Sequence, residues 1–328
     1  MISKQGADAG QTVGDASDVA VIIAAYNAEE TLSEALASVA MQSSPPGTVV
    51  VVDDGSSDAT GHIATSWQDR LPIQVVSHAT NQGLASARRS AIAACSEPLL
   101  AILDADDVWL PDHLSLMRHI FRDCPGLITA DALKWMPGQG VSRATMRAAR
   151  PMPMPGRQRT AILVENFVFI GTLFARDAYV SSGGFRDGIL GAEDWDLWIR
   201  LARNGVLITG TPYPTVLYRV HKGALTAGKQ QMENAARVLE LALGEISRPD
   251  ELGAAQRGLR NLRARLSLVR AYEHARAGNP SEARSAAFAA LRGPRHVALR
   301  AAAMLCAPAA SVRIRDRLSW SPSVRLGR

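Results

Sequence analysis

Short apolar segments alternate with amphipathic segments from residue 19 to residue 131. The segments at 19–25, 49–53, 73–77 and 99–103 are too continuously apolar to have one face in water. Strands that are buried on both faces are typical of parallel sheets covered by helices. Between these strands, apolar residues recur at helical spacing. The pattern therefore predicts an α/β fold whose mostly parallel sheet carries helices on both faces.

Cap and turn residues set the expected boundaries of the helices. Asn27 is predicted to cap the first helix, and Pro111 is predicted to begin a later one. A helix that begins at Glu193 is expected to end at Gly205. Residues 132–160 are rich in proline and glycine, which predicts a mobile loop.

The sequence changes character near Gly228 and becomes rich in alanine and arginine. Residues 267–277 and 281–291 have the caps and spacing of a helical hairpin. We therefore divide the chain into a disordered tail at 1–18, an α/β domain at 19–228 and a basic, all-helical C-terminal extension at 229–328.

Charge is distributed unevenly along the 328 residues. The net charge is +5, but residues 251–328 contain fifteen arginines, no lysine and four acidic residues. This surplus favours contact with an anionic membrane surface, while solvated helix faces are the alternative. No apolar run is long enough to cross a bilayer, and the first residues do not resemble a secretory signal. We expect a cytoplasmic protein for which nucleic acid is not a partner.

Polar residues follow four of the predicted strands at the points where the strands end. They are Tyr26 and Asn27, then Asp53 and Asp54, then Asn81, Gln82 and Gly83, and finally Asp104, Asp106 and Asp107. Such strand ends converge on one ligand-binding edge of an open parallel sheet. The chain has neither a GxGxxG loop nor a GxxxxGKS/T loop. Because carboxylates approach a diphosphate only with a divalent cation between them, this edge predicts a metal-assisted phosphate site.

Four motifs, taken in order, resemble those of the family 2 glycosyltransferases, which have the GT-A (Rossmann-like) fold. The resemblance covers roughly residues 19–227. Three segments of this sequence are similar to the nucleotide-binding half of the family: VAVIIAAYNAEETL (19–32), VVVVDDGSSDAT (49–60) and NQGLASARR (81–89). The segment LDADD (103–107) is similar to the family's DxD motif. The acceptor-side segment resembles GGF (183–185) with EDWDLWIRL (193–201), and the element that closes the active site resembles YRVH (218–221).

The resemblance implies a metal-dependent, inverting hexosyltransferase. Such an enzyme moves one sugar from a nucleotide-diphosphate sugar, with UDP as the first expectation, to a hydroxyl of a glycan or lipid-linked acceptor in surface polysaccharide synthesis. Asp194 would be the catalytic base, and Asp106 and His221 would hold Mg²⁺ or Mn²⁺. The implied donor-binding residues are Ala24, Tyr26, Glu29, Asp54, Asn81, Arg88, Asp104, Ala105 and Arg219, and the implied acceptor contacts are Glu193, Trp195 and Trp198.

Several of these residues also have an ordinary structural interpretation. Asp54 could be a turn residue that caps a helix. Trp195 and Trp198 could be packed in the core. Asp196 would point away from Asp194 and stabilise the helix dipole. For the whole chain, the alternative is a non-catalytic scaffold of the same fold that binds a nucleotide sugar.

Processive members of the family carry transmembrane helices and a QxxRW motif. This sequence has neither, which predicts a non-processive enzyme that releases its product after one transfer. The basic extension is expected to contact the inner face of the plasma membrane, to pack on the catalytic domain or to form a homodimer.

Overall fold

The computed structural model describes residues 16–169, 171–189, 191–220 and 229–312. Its strands are β1 (Ala16–Ala25), β2 (Pro46–Asp53), β3 (Ile73–Ser77), β4 (Leu99–Ile102), β5 (Val108–Trp109), β6 (Leu127–Met136), β7 (Gly140–Thr145), β8 (Thr172–Ala175) and β9 (Ile208–Arg219). Its helices are α1 (Leu32–Ala40), α2 (Thr60–Ser66), α3 (Leu84–Ala93), α4 (His113–Asp123), α5 (Met146–Ala149), α6 (Gln158–Ala161), α7 (Arg176–Ser181), α8 (Glu193–Arg203), α9 (Lys229–Glu245), α10 (Pro249–Arg276), α11 (Pro280–Ala290) and α12 (Arg295–Cys306).

The strands form one sheet in the order β3-β2-β1-β4-β8-β6-β9-β5, with β7 paired to β6. The first four strands are parallel, as the continuous apolar segments predict. The second half is mixed, because β8 runs antiparallel to both β4 and β6 while β9 runs parallel to β6. The predicted α/β class with a helical C-terminal region is therefore confirmed, and the antiparallel pairs lie in the second half of the sheet.

Both faces of β1 are buried, because successive side chains of a strand point to opposite faces. Ala20 and Ile22 pack into a core that includes α3 and α8. Val21 and Ile23 pack into a second core that includes α1 and α4. The sheet is thus covered by helices on both faces, and its polar strand ends are left at the edge.

The C-terminal helices pack in two places. Val238 of α9 and Ala255 of α10 belong to the same core as α8. The second half of α10 packs with α11 and α12 around a separate cluster that includes Leu268 and Ala287. The predicted hairpin is therefore present as α10 and α11. Among the described residues, helix resumes with α9 at Lys229, and the hydrophobic core of the α/β domain continues into α9 and α10.

Three predicted boundaries are wrong by a few residues. Asn27 does not cap α1, which begins five residues later; the φ of Asn27 is +48°, and its side-chain oxygen accepts the N–H of Ser57 at 2.9 Å. α4 begins two residues after Pro111. β1 begins at Ala16, inside the predicted tail, and residues 1–15 lie outside the described residues.

Most of residues 132–160 form strands and short helices, which corrects the prediction of a loop. β6 continues into this stretch and pairs with β7, with Trp135 opposite Val141. Gly138 and Gly140 have φ angles of +75° and +103°, which glycine adopts without steric cost. The glycines therefore mark a hairpin turn, and α5 and α6 follow it.

Candidate active site

The loops after β1 and β2 are tied together at the predicted ligand edge. The carboxylate of Glu29 accepts the N–H of Ala59 at 3.0 Å, and the N–H of Glu29 donates to Asp58 at 3.1 Å. Tyr26 is half exposed beside them, and Ala24 is partly buried in β1. The ring of Tyr26 is thus accessible to a ligand, while the carboxylate of Glu29 holds the loop.

Asp54 supports the turn that precedes α3. Its two carboxylate oxygens accept the N–H groups of Gln82 at 3.0 Å and Gly83 at 2.8 Å, and His78 Nδ1 lies 2.6 Å from Oδ1. Asp54 is only 3% exposed, whereas Asn81 remains exposed on the turn. The arrangement agrees with the alternative that Asp54 is a structural turn residue, and Asn81 is the more accessible of the two predicted donor contacts.

Arg88 of α3 is buried between two carboxylates. Its guanidinium donates to Asp104 Oδ1 at 2.8 Å and to Glu193 Oε1 at 2.7 Å, and it lies 5.7 Å from the ring centre of Phe185. Because Arg88 has almost no exposed surface, the prediction that it contacts the donor directly is not supported. It links the DxD segment to the start of α8 instead.

Arg219, at the end of β9, holds the DxD turn from the other side. The carboxylate of Asp107 accepts its backbone N–H at 2.9 Å, and its Nε donates to the carbonyl of Asp106 at 2.7 Å. The guanidinium also pairs with Glu34 and lies 4.1 Å over the ring of Trp135. Arg219 is therefore enclosed by protein groups, and its predicted direct contact with the donor is not supported.

Asp104 and Asp106 follow β4 at the carboxyl edge of the sheet, with Ala105 buried between them. The side chain of Asp104 is 29% exposed, so one part of it faces Arg88 and another part is open to a ligand. Asp106 is likewise partly exposed. Both carboxylates of the DxD segment are therefore accessible to a donor or a cation.

Asp194 lies in the first turn of α8. Ala192 precedes the helix with a φ of +85°, which turns the chain sharply into it. Asp194 Oδ1 accepts the N–H of Trp195 at 2.7 Å. Burial raises the pKa of Asp194, while Arg88, this hydrogen bond and the side chain of Asn166 act in the opposite direction.

Asp196 does not share the site with Asp194. Its carboxylate pairs with Arg200 at 2.5 Å, one turn along the same buried face of α8. The helix ends at Arg203, and Gly205 follows with a φ of +88°, as predicted. Asp196 is therefore committed to an ion pair within its own helix, whereas Asp194 is partly exposed.

Carboxylates outnumber cations around Arg88. Burial raises the pKa of Glu193 to about 7; Arg88 opposes this rise and Asp194 adds to it. Burial also raises the pKa of Asp104, with Arg88 opposing and Asp106 adding to the rise. The site therefore carries an excess of acidic groups that a bound cation would neutralise.

The residues present fit Mg²⁺ or Mn²⁺, which prefer oxygen ligands. Asp107 has one buried oxygen, Oδ2, with no hydrogen-bond partner among the described residues, and burial beside Asp104 and Asp106 raises its pKa well above the usual range. Among the described residues, no group of three or more His, Cys, Asp and Glu side chains is arranged so that it could hold a metal ion. His221, the second predicted ligand, lies outside the described residues.

Trp195 and Trp198 are packed in the core. Trp198 is 0% exposed and meets Phe174 edge to face at 5.5 Å. The indole N–H of Trp195 donates to the carbonyl of Ile162 at 2.8 Å. Neither ring has an open face on which a sugar could stack, so the predicted acceptor contacts are not supported. Glu193, the third predicted acceptor contact, is buried against Arg88.

Sequence reasoning missed Asn166 and His78. Asn166 lies between predicted elements and belongs to no motif, so no local signal identified it. His78 follows β3 at the same edge as the other polar strand ends and bonds both Asp54 and Ser90. Its position after a strand was a usable signal.

Comparison with known proteins agrees with this geometry. Residues 20–180 match the family described as Glycosyl transferase family 2. The chain is 30% identical to the succinoglycan biosynthesis protein ExoU of Rhizobium meliloti (strain 1021), over 78% of this chain and 79% of that protein. It is 25% identical to the UDP-Glc:alpha-D-GlcNAc-diphosphoundecaprenol beta-1,3-glucosyltransferase WfaP of Escherichia coli, over 64% of this chain and 80% of that protein.

The fold is also that of a solved glycosyltransferase. The mannosyltransferase PcManGT from Pyrobaculum calidifontis, in complex with GDP-Man and Mn²⁺, superposes with a TM-score of 0.62 at 21% identity, over 94% of this chain and 82% of that chain. This likeness identifies a GT-A fold. Given the identity to ExoU over most of both chains, the protein belongs to glycosyl transferase family 2.

Proposed function

We propose that this glycosyltransferase of bacterial polysaccharide synthesis is an inverting, non-processive enzyme. It transfers one sugar from a nucleotide-diphosphate sugar, with UDP as the preferred nucleotide, to a hydroxyl of a glycan or lipid-linked acceptor. The observation that carries the proposal is the position of Arg88 between the carboxylates of both segments. Arg88 forms ion pairs with Asp104 and Glu193, and it also interacts electrostatically with Asp194. A donor held at the DxD segment would present its sugar next to the base.

The chain's own residues can perform the transfer in one displacement. Asp194 takes the proton of the acceptor hydroxyl as that oxygen forms a bond to the anomeric carbon. The bond from the anomeric carbon to the diphosphate oxygen breaks on the opposite face, and its electron pair leaves with the diphosphate. Attack from the face opposite the leaving group inverts the anomeric configuration. Such a general base typically contributes about 10²–10⁴-fold in rate.

Asp106 would hold Mg²⁺ or Mn²⁺, with Asp104 contacting the donor sugar or ribose directly or through the same ion. A bound cation supplies charge neutralisation for the diphosphate, which is the chemistry that the excess of carboxylates calls for. PcManGT, which shares the fold, is described with Mn²⁺ and GDP-Man. Tyr26 and Asn81 are the accessible residues that we assign to the nucleotide.

The experiment measures release of nucleoside diphosphate from a panel of nucleotide sugars, with Mg²⁺ or Mn²⁺ and several acceptors. Asp194→Asn should lower turnover by about 10²–10⁴-fold and leave donor binding intact. Asp177→Asn, at an exposed aspartate of α7, is the matched control and should behave as the wild type. Donor binding without release from any donor and acceptor pair would support the non-catalytic scaffold instead.

We also propose that the acceptor is lipid-linked and that the C-terminal region contacts an anionic membrane at its inner face. WfaP is named for a diphosphoundecaprenol acceptor. Phe288 of α11 and Leu299 of α12 are 66% and 64% exposed, and arginines lie near them in the sequence. This combination favours a bilayer interface. Among the described helices, none is long and apolar enough to span a membrane.

Removal of residues 229–328 would disrupt the core shared by α8, α9 and α10, so point variants are the better test. The full chain with Phe288→Ser and Leu299→Ser should lose binding to phosphatidylglycerol vesicles in co-sedimentation. Val180→Ser, at an equally exposed apolar residue of α7, should retain it. Equal vesicle binding by the wild type, the double variant and Val180→Ser would rule out Phe288 and Leu299 as a membrane contact. A dimer that resists salt in the wild type and is lost in the double variant would show that these residues form a dimer interface instead.

A further inference from the structure

A cavity of about 370 Å³ lies between helix α9 and the loop that leads into α8. Gly188 and Ile189 form its loop wall, and residues 234–241 of α9 form its helix wall. This space, the α9 cavity, has the size of a small-molecule site, since such sites have volumes of about 300–1,000 Å³. It is therefore large enough to hold part of a substrate.

The loop wall of the α9 cavity is held from two sides. Arg186 pairs with Glu245 of α9 at 2.8 Å, which joins the loop to the helix. On the other side, Asp187 pairs with Arg89 of α3, whose guanidinium also donates to the carbonyl of Phe185 at 3.4 Å. The shape of the cavity therefore depends on contacts with two helices and not on the loop alone.

The α9 cavity lies next to the first turn of α8. A Cβ placed at Gly191 would come within 3.1 Å of the side-chain nitrogen of Asn234, so the helix wall approaches the loop just before α8. Gly191 precedes Asp194 by three residues, which span at most about 11 Å of extended chain. An acceptor whose hydroxyl lies at Asp194 therefore has the cavity within reach of a group further along its length.

The helix wall of the cavity carries two hydrogen-bond donors. Asn234 and Arg237 are three residues apart, so they lie on the same face of α9. Asn234 is 8% exposed, and its side-chain oxygen accepts the amide of Gln230 at 3.1 Å, which leaves its NH₂ group as a donor. Arg237 is exposed and forms no ion pair with a described residue.

The rest of the lining does not cancel the charge of Arg237. Glu240 is the one acid among the described residues that line the cavity, and it pairs with Arg263 of α10 at 2.8 Å. Ile189 and Leu241 supply apolar surface. A cation and an amide donor beside apolar side chains favour a ligand with an anionic group that accepts hydrogen bonds.

We propose that the α9 cavity is an acceptor subsite that binds an anionic group, a phosphate or a carboxylate, through Arg237 and Asn234. This inference rests on the proposed function, because it names a chemical class for the acceptor of the same transfer. The diphosphate of a lipid-linked acceptor and the carboxylate of a uronic acid in a glycan are the two sources of such a group. The C-terminal region then contributes to the choice of acceptor as well as to the core that it shares with α8.

The first experiment measures binding to the full chain by calorimetry. The probes are a sugar diphosphate with a short alkyl chain and a glycan that ends in a uronic acid, each with a neutral counterpart that lacks only the anionic group. A nucleoside diphosphate and Mn²⁺ are present, so that the donor site is occupied. At least one anionic probe should bind about 10- to 100-fold more tightly than its counterpart, because a charge-assisted hydrogen bond is added. The probe that shows this preference identifies the source of the anion.

Arg237→Gln should abolish the preference and leave the affinity for the nucleoside diphosphate unchanged. Arg122→Gln is the matched control, since it removes the same charge from an exposed arginine of α4, which packs in the core on the other face of the sheet from α9. It should keep the preference of the wild type.

Leu241 allows a test that keeps Arg237 in place. Its side chain is 49% exposed, so a polar residue is tolerated there. Leu241→Glu should weaken the binding of the anionic probe, whereas Leu241→Lys should retain or strengthen it, because the two variants place opposite charges at the same position. An equal loss in both variants would reflect damaged packing and would overturn the assignment of an anion.

Equal binding of each anionic probe and its neutral counterpart by the wild type would overturn the inference. A preference that survives in Arg237→Gln would overturn it as well. Both outcomes concern the acceptor alone. A wild type that shows the expected preference but releases no nucleoside diphosphate from any donor would instead sink the proposed function, so the two failures are distinguishable.

Discussion

Arg88 of α3 and Glu193 of α8 form a buried ion pair of 2.7 Å between residues 105 positions apart in the sequence. The same guanidinium reaches Asp104 on its other side. One arginine therefore joins the end of β4 to the first turn of α8. Its charge opposes the rise that burial causes in the pKa of both carboxylates.

Replacing Arg88 by methionine should destabilise the fold strongly. Removing one partner of a buried ion pair leaves an uncompensated charge, which costs about 3–5 kcal/mol. Arg89→Met is the control, because the neighbouring arginine pairs with the exposed Asp187 and should contribute less than about 1 kcal/mol. Urea unfolding at neutral pH measures both variants, and similar losses in the two would refute the bridging role of Arg88.

Glu193 should make stability depend on pH. Burial raises its pKa in the folded state to about 7 from an ordinary value of 4.5. The unfolded chain therefore releases this proton first as the pH rises, and the stability gained below pH 4.5 is lost as the pH passes 7. Glu193→Gln mimics the protonated form. It should thus become more stable than the wild type over this interval, by about 3 kcal/mol at most.

The measurement is the difference in unfolding free energy between Glu193→Gln and the wild type across that pH range. Glu29→Gln, at an exposed glutamate of the same site, is the control for the substitution itself. A constant difference for Glu193→Gln would mean that Arg88 keeps the carboxylate ionised throughout.

The fold, and the sheet edge at which the predicted site residues lie, could be predicted because they depend on simple periodicities. Apolar runs such as 19–25 are buried on both faces, and parallel strands bring Asp54 and Asp104 to one edge. Asp194 followed from the order of motifs, and its location in the first turn of α8 agrees with that order. These features require no knowledge of side-chain direction.

The direction of long side chains could not be predicted in the same way. Arg88 and Arg219 were expected to contact the donor, but each guanidinium is enclosed by carboxylates or an aromatic ring. A sequence motif indicates where the backbone of such a residue lies. The position of its guanidinium group depends on partners that are 100 or more residues away in the sequence. Asn166 shows the same limit, because its effect on the pKa of Asp194 depends on their proximity in the folded chain.

Trp198 offers a test between packing and acceptor binding. Because its ring is fully buried against Phe174, Trp198→Ala should cost about 3–5 kcal/mol in unfolding free energy. Trp198→Phe keeps most of the apolar volume and should retain the acceptor KM of the wild type. Thermal unfolding and acceptor titrations decide the matter: a raised acceptor KM in Trp198→Phe with unchanged stability would restore the acceptor role.

The requirement of the reaction for a divalent cation should depend on the carboxylate of Asp106. Its carboxylate is partly exposed beside Asp104, and Arg219 binds its backbone carbonyl, so the side chain can change without loss of that contact. Asp106→Asn should raise the Mn²⁺ concentration needed for half-maximal nucleoside diphosphate release by at least about 10-fold. Asp112→Asn, at an exposed aspartate just before α4, is the control and should titrate as the wild type.

Chelation gives the matching measurement without a mutation. EDTA should abolish release by the wild type, and excess Mn²⁺ should restore it, because the surplus of carboxylates around Asp104 repels an unaccompanied diphosphate. Thermal unfolding with the nucleotide should show stabilisation only when the cation is also present. If Asp106→Asn keeps the metal titration of the wild type while EDTA still abolishes release, the cation is held by other ligands and Asp106 belongs to the donor contacts.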